Sequence, residues 1–241
     1  MSAVVLQNVS KRFGSFLAIN EVSFSIEKGE SFALIGPNGA GKTTTLRIVC
    51  GLVKPSSGLV KVFGEDPSNS RIRSQISILP EDAGVYEKLT AWESIYYYAL
   101  LRGLDKSSAE QKAEELIRVL DLQQKRNEYG VKLSKGLKRK VLIGMCLVND
   151  PKLLVLDEPT DGLDVRSARN VRELLKALVS EGKTLIVSSH NMLEIQDVAQ
   201  KIAIINKGKL VAEGEPDRLL ANYGARSLEE LFLGLTEEGV T

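Results

Sequence analysis

One segment constrains this chain more than any other: Gly36 to Thr44, which reads Gly-Pro-Asn-Gly-Ala-Gly-Lys-Thr-Thr. It follows an apolar run, Phe32 to Ile35, and leads into a helical pattern from about Lys42 to Cys50. A glycine-rich turn between a buried strand and a helix aims backbone N–H groups and the helix N-terminus at one point, which makes an anion site. In that setting G-x-x-x-x-G-K-[ST] is a phosphate-binding loop. Gly36, Pro37, Asn38, Gly39, Ala40, Gly41 and Lys42 form the cradle. Lys42 is expected to reach the β- and γ-phosphates of a nucleotide and the Thr43 hydroxyl to ligate Mg²⁺. The Thr44 N–H would hold the α-phosphate side.

The rest of the chain supplies the architecture that such a loop requires. Short β-like runs at Val4–Val9, Val22–Ile26, Phe32–Ile35, Ile76–Leu79, Leu153–Leu156, Leu185–Val187, Ile202–Ile205 and Leu210–Ala212 alternate with helical patterns. Leu153–Leu156 and Leu185–Val187 are apolar throughout, as strands covered on both faces are, whereas the first strands alternate and suit an antiparallel edge. The expected fold is α/β: a core with a mixed, largely parallel sheet, an antiparallel β subdomain and a helical subdomain. Helices are expected at Thr90–Leu101, Ser107–Leu120 and Leu137–Val148, with Thr90 and Ser107 as N-caps. Residues 1–241 are read as one domain with this subdomain, about 89–148, inserted in the core. The tail from Glu215 to Thr241 reads as helical, with Leu228, Leu231, Phe232 and Leu235 on one face. That face either packs on its own domain or docks a partner.

Composition removes several classes of function. Lys and Arg number 32 against 31 Asp and Glu, a net charge of +1, without the basic excess of a nucleic-acid binder. The longest apolar stretches, such as Val141 to Val148, fall far short of the roughly 20 residues that span a bilayer. No secretory leader is visible at the N-terminus, so a cytoplasmic location is expected. Two cysteines, Cys50 and Cys146, lie in apolar helical stretches without metal-ligand spacing and read as buried reduced thiols.

A second cluster carries chemistry. Lys152 to Thr160 is an apolar strand that ends in Asp157 and Glu158 and is stopped by Pro159. A buried strand delivers its acidic end to the carboxyl edge of the sheet, where α/β proteins bind ligands. Asp157 is placed to hold Mg²⁺ through water, and Glu158 to orient the attacking water or take its proton. His190, the only histidine, follows the strand Thr184–Val187 and stands where a γ-phosphate sensor would.

Together these residues resemble the nucleotide-binding subunit of an ATP-binding cassette transporter over almost the whole chain. Three further segments match that family in order: Leu133-Ser134-Lys135-Gly136-Leu137, Asp161-Gly162-Leu163-Asp164 and the histidine His190. The resemblance implies ATP and Mg²⁺ as ligands and two cassettes facing head to tail on ATP binding. Each ATP would then lie between one phosphate loop and the partner's Ser134 and Gly136 turn, beside Asp164. It also implies integral-membrane transporter subunits as partners and peripheral attachment to the inner face of the membrane. No nucleic acid is expected. Phe13 matches the aromatic that stacks on adenine, although the residues themselves equally allow a packing role. The Ser227–Glu238 tail resembles exporter-type cassettes with separate membrane subunits.

Two positions depart from the family pattern. Lys135 replaces a common glycine, and a cation beside a phosphate-binding turn is electrostatically compatible. Glu81 stands where a glutamine commonly senses Mg²⁺ and the attacking water; an ionised glutamate accepts hydrogen bonds and donates none. Hydrolysis with altered metal dependence is expected. Around it, Tyr86, Trp92, Tyr96, Tyr97 and Tyr98 concentrate aromatic surface. Three successive tyrosines spread over about 200° of a helix and cannot all face one core, so this region either meets the membrane subunit or packs within the helical subdomain. Two other readings remain: a soluble cassette ATPase acting on ribosomes or DNA, and a nucleotide-dependent binding module with impaired hydrolysis.

Overall fold

The computed structural model describes residues 1–237. Its centre is a six-stranded sheet with strand order β5-β6-β7-β3-β8-β9. The strands are β3 (Ser31–Ile35), β5 (Ile76–Leu79), β6 (Leu153–Asp157), β7 (Thr184–Ser189), β8 (Lys201–Asn206) and β9 (Lys209–Gly214). All neighbours run parallel except β8 and β9, which form an antiparallel edge. Beside it lies a three-stranded antiparallel sheet of β1 (Ser2–Phe13), β2 (Phe16–Glu27) and β4 (Ser57–Val62), in the order β2-β1-β4.

Every residue of β3, β6 and β7 is buried, as strands covered on both faces require. Alternation then sorts side chains between two cores. Leu154, Leu156, Leu185 and Val187 face one cluster with the helices α3 (Ala91–Leu101), α4 (Lys106–Val119), α5 (Lys135–Leu147) and α6 (Val165–Ser180). Leu153, Val155, Phe32, Leu34 and Ile186 face the other, with the antiparallel sheet and α1 (Lys42–Val49). Phe24 stacks on Phe32 at 5.0 Å between centroids and ties the two sheets together. The helical segment therefore shares a continuous apolar cluster with one face of the sheet.

Several boundaries differ from expectation for identifiable reasons. β1 and β2 extend to 12 residues each, and β4 joins them unannounced, because Ser57, Gly58 and Leu59 are exposed and only Val60 and Val62 face inward. Thr90 caps α3 in a reciprocal box with Glu93. The cap of α4 is Asp105 rather than Ser107, with its carboxylate accepting the Ser108 N–H at 3.1 Å. α5 begins two residues before Leu137, at Lys135. The tail is two helices rather than one: α8 (Pro216–Tyr223) ends at Gly224, and α9 spans Leu228–Glu237. Leu228 and Leu231 are buried against β3, β8 and α7 (Met192–Val198), with Phe232 and Leu235 packed beside them, so that face serves its own chain. Residues 238–241, including the last part of the exporter-like tail, lie outside the described residues. No helix is long and apolar enough among the described residues to cross a membrane.

Candidate functional site

Parallel register brings the chemistry to one edge. Ile35 pairs with Ser189, Asp157 with Ser188, and Leu79 with Leu156. The phosphate loop after β3, Glu81 after β5, Glu158 after β6 and His190 after β7 consequently emerge side by side at the carboxyl ends of the strands. The loop, Glu81 and Glu158 border a cavity of 380 Å³ lined by Phe16, Ala18, Pro37 to Thr44, Glu81, Asp157 and Glu158, while His190 contacts Glu158 and does not itself line it. That size falls in the range of small-molecule sites.

The loop's glycines answer two different demands. At Gly36 a Cβ would lie 2.3 Å from the Ile205 carbonyl oxygen, so close packing on β8 requires glycine there. Gly41 caps α1 with φ +107°, and a Cβ would meet Ile19 and Ala18 at 2.7 and 2.8 Å. Gly36 does not line the cavity; its carbonyl accepts a 2.7 Å hydrogen bond from Lys42 Nζ.

Lys42 is buried and stands 3.8 Å from Glu158 Oε1. The other carboxylate oxygen of Glu158 lies 3.0 Å from His190 Nδ1. Glu158 itself has φ +48°, a left-handed conformation that a non-glycine residue adopts at a cost and that clusters at functional sites. Its N–H donates to both the carbonyl and the hydroxyl of Ser188, each at 3.1 Å. The Ser188 hydroxyl in turn donates to Asp157 Oδ1, and Thr43 Oγ1 donates to Asp157 Oδ2 at 2.9 Å. Thr43 and the 3%-exposed Asp157 thus converge as hard oxygen donors, a set that fits Mg²⁺.

A profile of the ABC transporter family matches residues 19–161 of this chain. The chain belongs to that family. As an ATP-binding cassette it binds and hydrolyses ATP, and its core is of the P-loop NTPase type. It is 34% identical over 234 residues to the linearmycin resistance ATP-binding protein LnrL of Bacillus subtilis, covering 96% of this chain and 75% of that one. It is 35% identical to the Nod factor export ATP-binding protein I of Burkholderia lata, covering 96% and 77%. Among solved structures, an ATP-binding subunit of an ABC transporter superposes with a TM-score of 0.84 at 29% identity, over 97% of this chain and 99% of its own. A dimeric cassette in a post-hydrolysis state bound to ADP and Pi gives 0.78 at 26% identity, covering 88% and 98%.

Other expected residues lie at the cassette's periphery. Phe13 is half exposed at the end of β1, with the Lys11 ammonium over its ring, and does not line the cavity. The aromatic that does is Phe16, its Cα partner across the hairpin. Ser134 is exposed and caps α5, accepting the Leu137 N–H at 3.3 Å. Gly136 is buried, and a Cβ there would sit 2.5 Å from Ser167 Oγ, so it opens no surface to a ligand within its own chain. The Asp164 carboxylate caps α6, held below its usual range chiefly by the Ser167 hydroxyl. Of the aromatic group, Trp92 and Tyr96 stack at 4.8 Å and pack inward with Tyr98, while Tyr86 and Tyr97 are exposed.

Sequence reasoning missed Phe16, Ser188 and the cluster behind Thr160. Thr160 donates to Glu194 on α7, which faces Arg172 of α6 at 3.7 Å; Arg172 also pairs with Asp197 at 2.9 Å. The Ser-Ser pair before His190 was the available signal for Ser188. Outside the cavity lining, burial pushes the Arg139 guanidinium below the ordinary value, opposed by the charges of Asp161 and Glu81.

Proposed function

We propose that this chain is the ATP-hydrolysing subunit of an exporter, acting on separate integral-membrane subunits from the inner face of the membrane and closing with a second cassette on ATP. The observation that carries it is Glu158, in a left-handed turn between Lys42 and His190 at the edge of the cavity.

In this reading the backbone N–H groups of Asn38 to Thr44 and the Lys42 ammonium bind the phosphates. Glu158 orients a water for in-line attack on the γ-phosphate and takes its proton, and His190 holds both the carboxylate and the γ-phosphate side. Thr43 and Asp157 would hold Mg²⁺, with Glu81 facing it; bound there, the ion would supply positive charge against the phosphate oxygens. Phe16, with Phe13 beside it, is placed for the adenine. The exposed Ser134 turn, Lys135 and Asp164 complete the facing site of the second cassette, whose γ-phosphate meets the N-terminus of α5. Tyr86 and Tyr97 present the surface that docks the membrane subunits. Relatives named for export, and the dimeric cassette bound to ADP and Pi, support the assignment.

Sedimentation of Glu158→Gln with and without MgATP tests the shared site. The dimer is expected only with ATP, and a variant that stays monomeric while saturated with nucleotide would refute it. An Mg²⁺ titration of Glu81→Gln tests the metal role of Glu81, which fails if the titration is unchanged.

A further inference from the structure

Glu158 and His190 meet directly at 3.0 Å, and a second contact joins the segments that carry them. Thr160, two residues after Glu158, donates its hydroxyl to the carboxylate of Glu194 in the first turn of α7, a helix that starts two residues after His190. Both ends of this contact are largely withdrawn from water: Thr160 is buried and the Glu194 side chain is 15% exposed. The carboxylate is balanced by Arg172 of α6, whose guanidinium lies 3.7 Å from it and also donates to Asp197, one turn further along α7, at 2.9 Å. Lys176, one turn further along α6, pairs with Asp197 as well. A carboxylate placed here is costly to keep unless a cation and a hydrogen-bond donor hold it, and Glu194 has one of each.

The local backbone turns this contact into a tie between the two segments. The Asp161 N–H donates to the Glu158 carbonyl and the Leu163 N–H to the Thr160 carbonyl, so the Thr160 hydroxyl sits in a tight turn fixed to Glu158. On the other side the Asn191 N–H donates to Ser189 Oγ at 3.0 Å, and the Ile195 N–H to the Asn191 carbonyl, which joins His190 directly to the first turn of α7. A cavity of about 20 Å³, room for one water, is walled in part by Pro159, Thr160, Ser189, Arg172 and Glu194, so the pair has little space to shift inward. Chain and contacts form a closed ring: from Glu158 to Thr160, across to Glu194, back through α7 to His190, and across to Glu158. Neither Thr160 nor Glu194 lines the nucleotide cavity.

We propose that Glu194 is a positioning residue for hydrolysis: by holding Thr160 from behind, its carboxylate sets the separation of Glu158 and His190, and with it the aim of Glu158 at the attacking water. A displacement of about 1 Å at a reacting group can cost about a hundredfold in rate, so a tie of this kind acts on turnover. It leaves nucleotide binding alone, because the ring stands outside the cavity lining except at Glu158. This inference rests on the reading of Glu158 as the residue that orients the water and of His190 as its partner.

The test is a double-mutant cycle of Glu194→Ala and Thr160→Val, read separately by kcat with MgATP and by affinity for a fluorescent ATP analogue. Each single variant is expected to lower kcat about tenfold with nucleotide affinity within about twofold of wild type, and the double variant to be no slower than the slower single one. Glu194→Gln, whose amide oxygen still accepts the Thr160 hydroxyl, and Thr160→Ser, which keeps that hydroxyl, are expected to retain kcat to within about threefold. Thr160→Val is close to isosteric, so its contrast with Thr160→Ser serves if Glu194→Ala does not fold. Affinity lost in step with kcat, full kcat in both single variants, or additive losses in the double variant overturn the proposal. If Glu158→Gln is inactive while Glu194→Ala and Thr160→Val turn over normally, the reading of Glu158 stands and only the Glu194 inference fails. If Glu158→Gln turns over normally, both fail.

Discussion

Glu158 gathers more constraints than any other residue in the cassette. Its backbone is left-handed, its N–H is shared between two Ser188 acceptors, and its carboxylate lies between Lys42 and His190. Ser188 is fully buried and joins the Asp157 carboxylate to the Glu158 backbone N–H, so Ser188→Ala leaves Asp157 and the Glu158 N–H each one partner short. A loss of about 1–3 kcal/mol in stability is expected, measured by urea unfolding. The thiols behave oppositely. Burial pushes Cys50 and Cys146 each up to about 12, so both are expected to resist alkylation at pH 8 in the folded protein and to react once it is unfolded. Lys42, Thr43, Asp157, Glu158 and His190 were legible in the sequence because each sits at a fixed offset from a buried strand. Phe16 was not: a hairpin register placed it, and that leaves no local pattern.

At the scale of elements, capping residues set where the helices begin. Thr90 and Glu93 satisfy each other's N–H groups at the start of α3. Thr90→Ala is expected to lower stability by about 1 kcal/mol, read as a shift of the urea midpoint. Asp105 and Asp164 cap α4 and α6, and each is held below its ordinary 3.8, first by the side-chain hydroxyl of Ser108 and Ser167 respectively. A carboxyl depressed in the folded state stabilises fully above its unfolded value and loses that contribution as pH falls through the lower folded value. Stability should therefore fall below about pH 4, and Asp164→Asn, a cap without a titrating group, should flatten part of that decline in a thermal melt. Ser107 was a reasonable cap from sequence, since it too carries a hydroxyl. Asp105 prevails because it lies directly ahead of Lys106, where its carboxylate reaches both the N–H and the hydroxyl of Ser108. The strand β4 escaped notice because four of its six residues face water.

For the whole molecule, the parallel register of β3, β6 and β7 turns three distant sequence motifs into one edge, while two apolar clusters hold that edge rigid from either side. The α/β class, the antiparallel sheet and the helical segment were readable from periodicity. The split of the tail at Gly224 was not, because the apolar spacing continues across it. The central claim is that Glu158 drives ATP hydrolysis at this edge in a site completed by a second cassette. Steady-state phosphate release by the purified chain with MgATP, across a range of protein concentrations and beside Glu158→Gln, tests it most directly. The account predicts activity that rises more steeply than concentration and falls about a hundredfold or more in the variant, with nucleotide still bound. Turnover that is unchanged by Glu158→Gln, or strictly proportional to protein concentration from the lowest dilution, would contradict it.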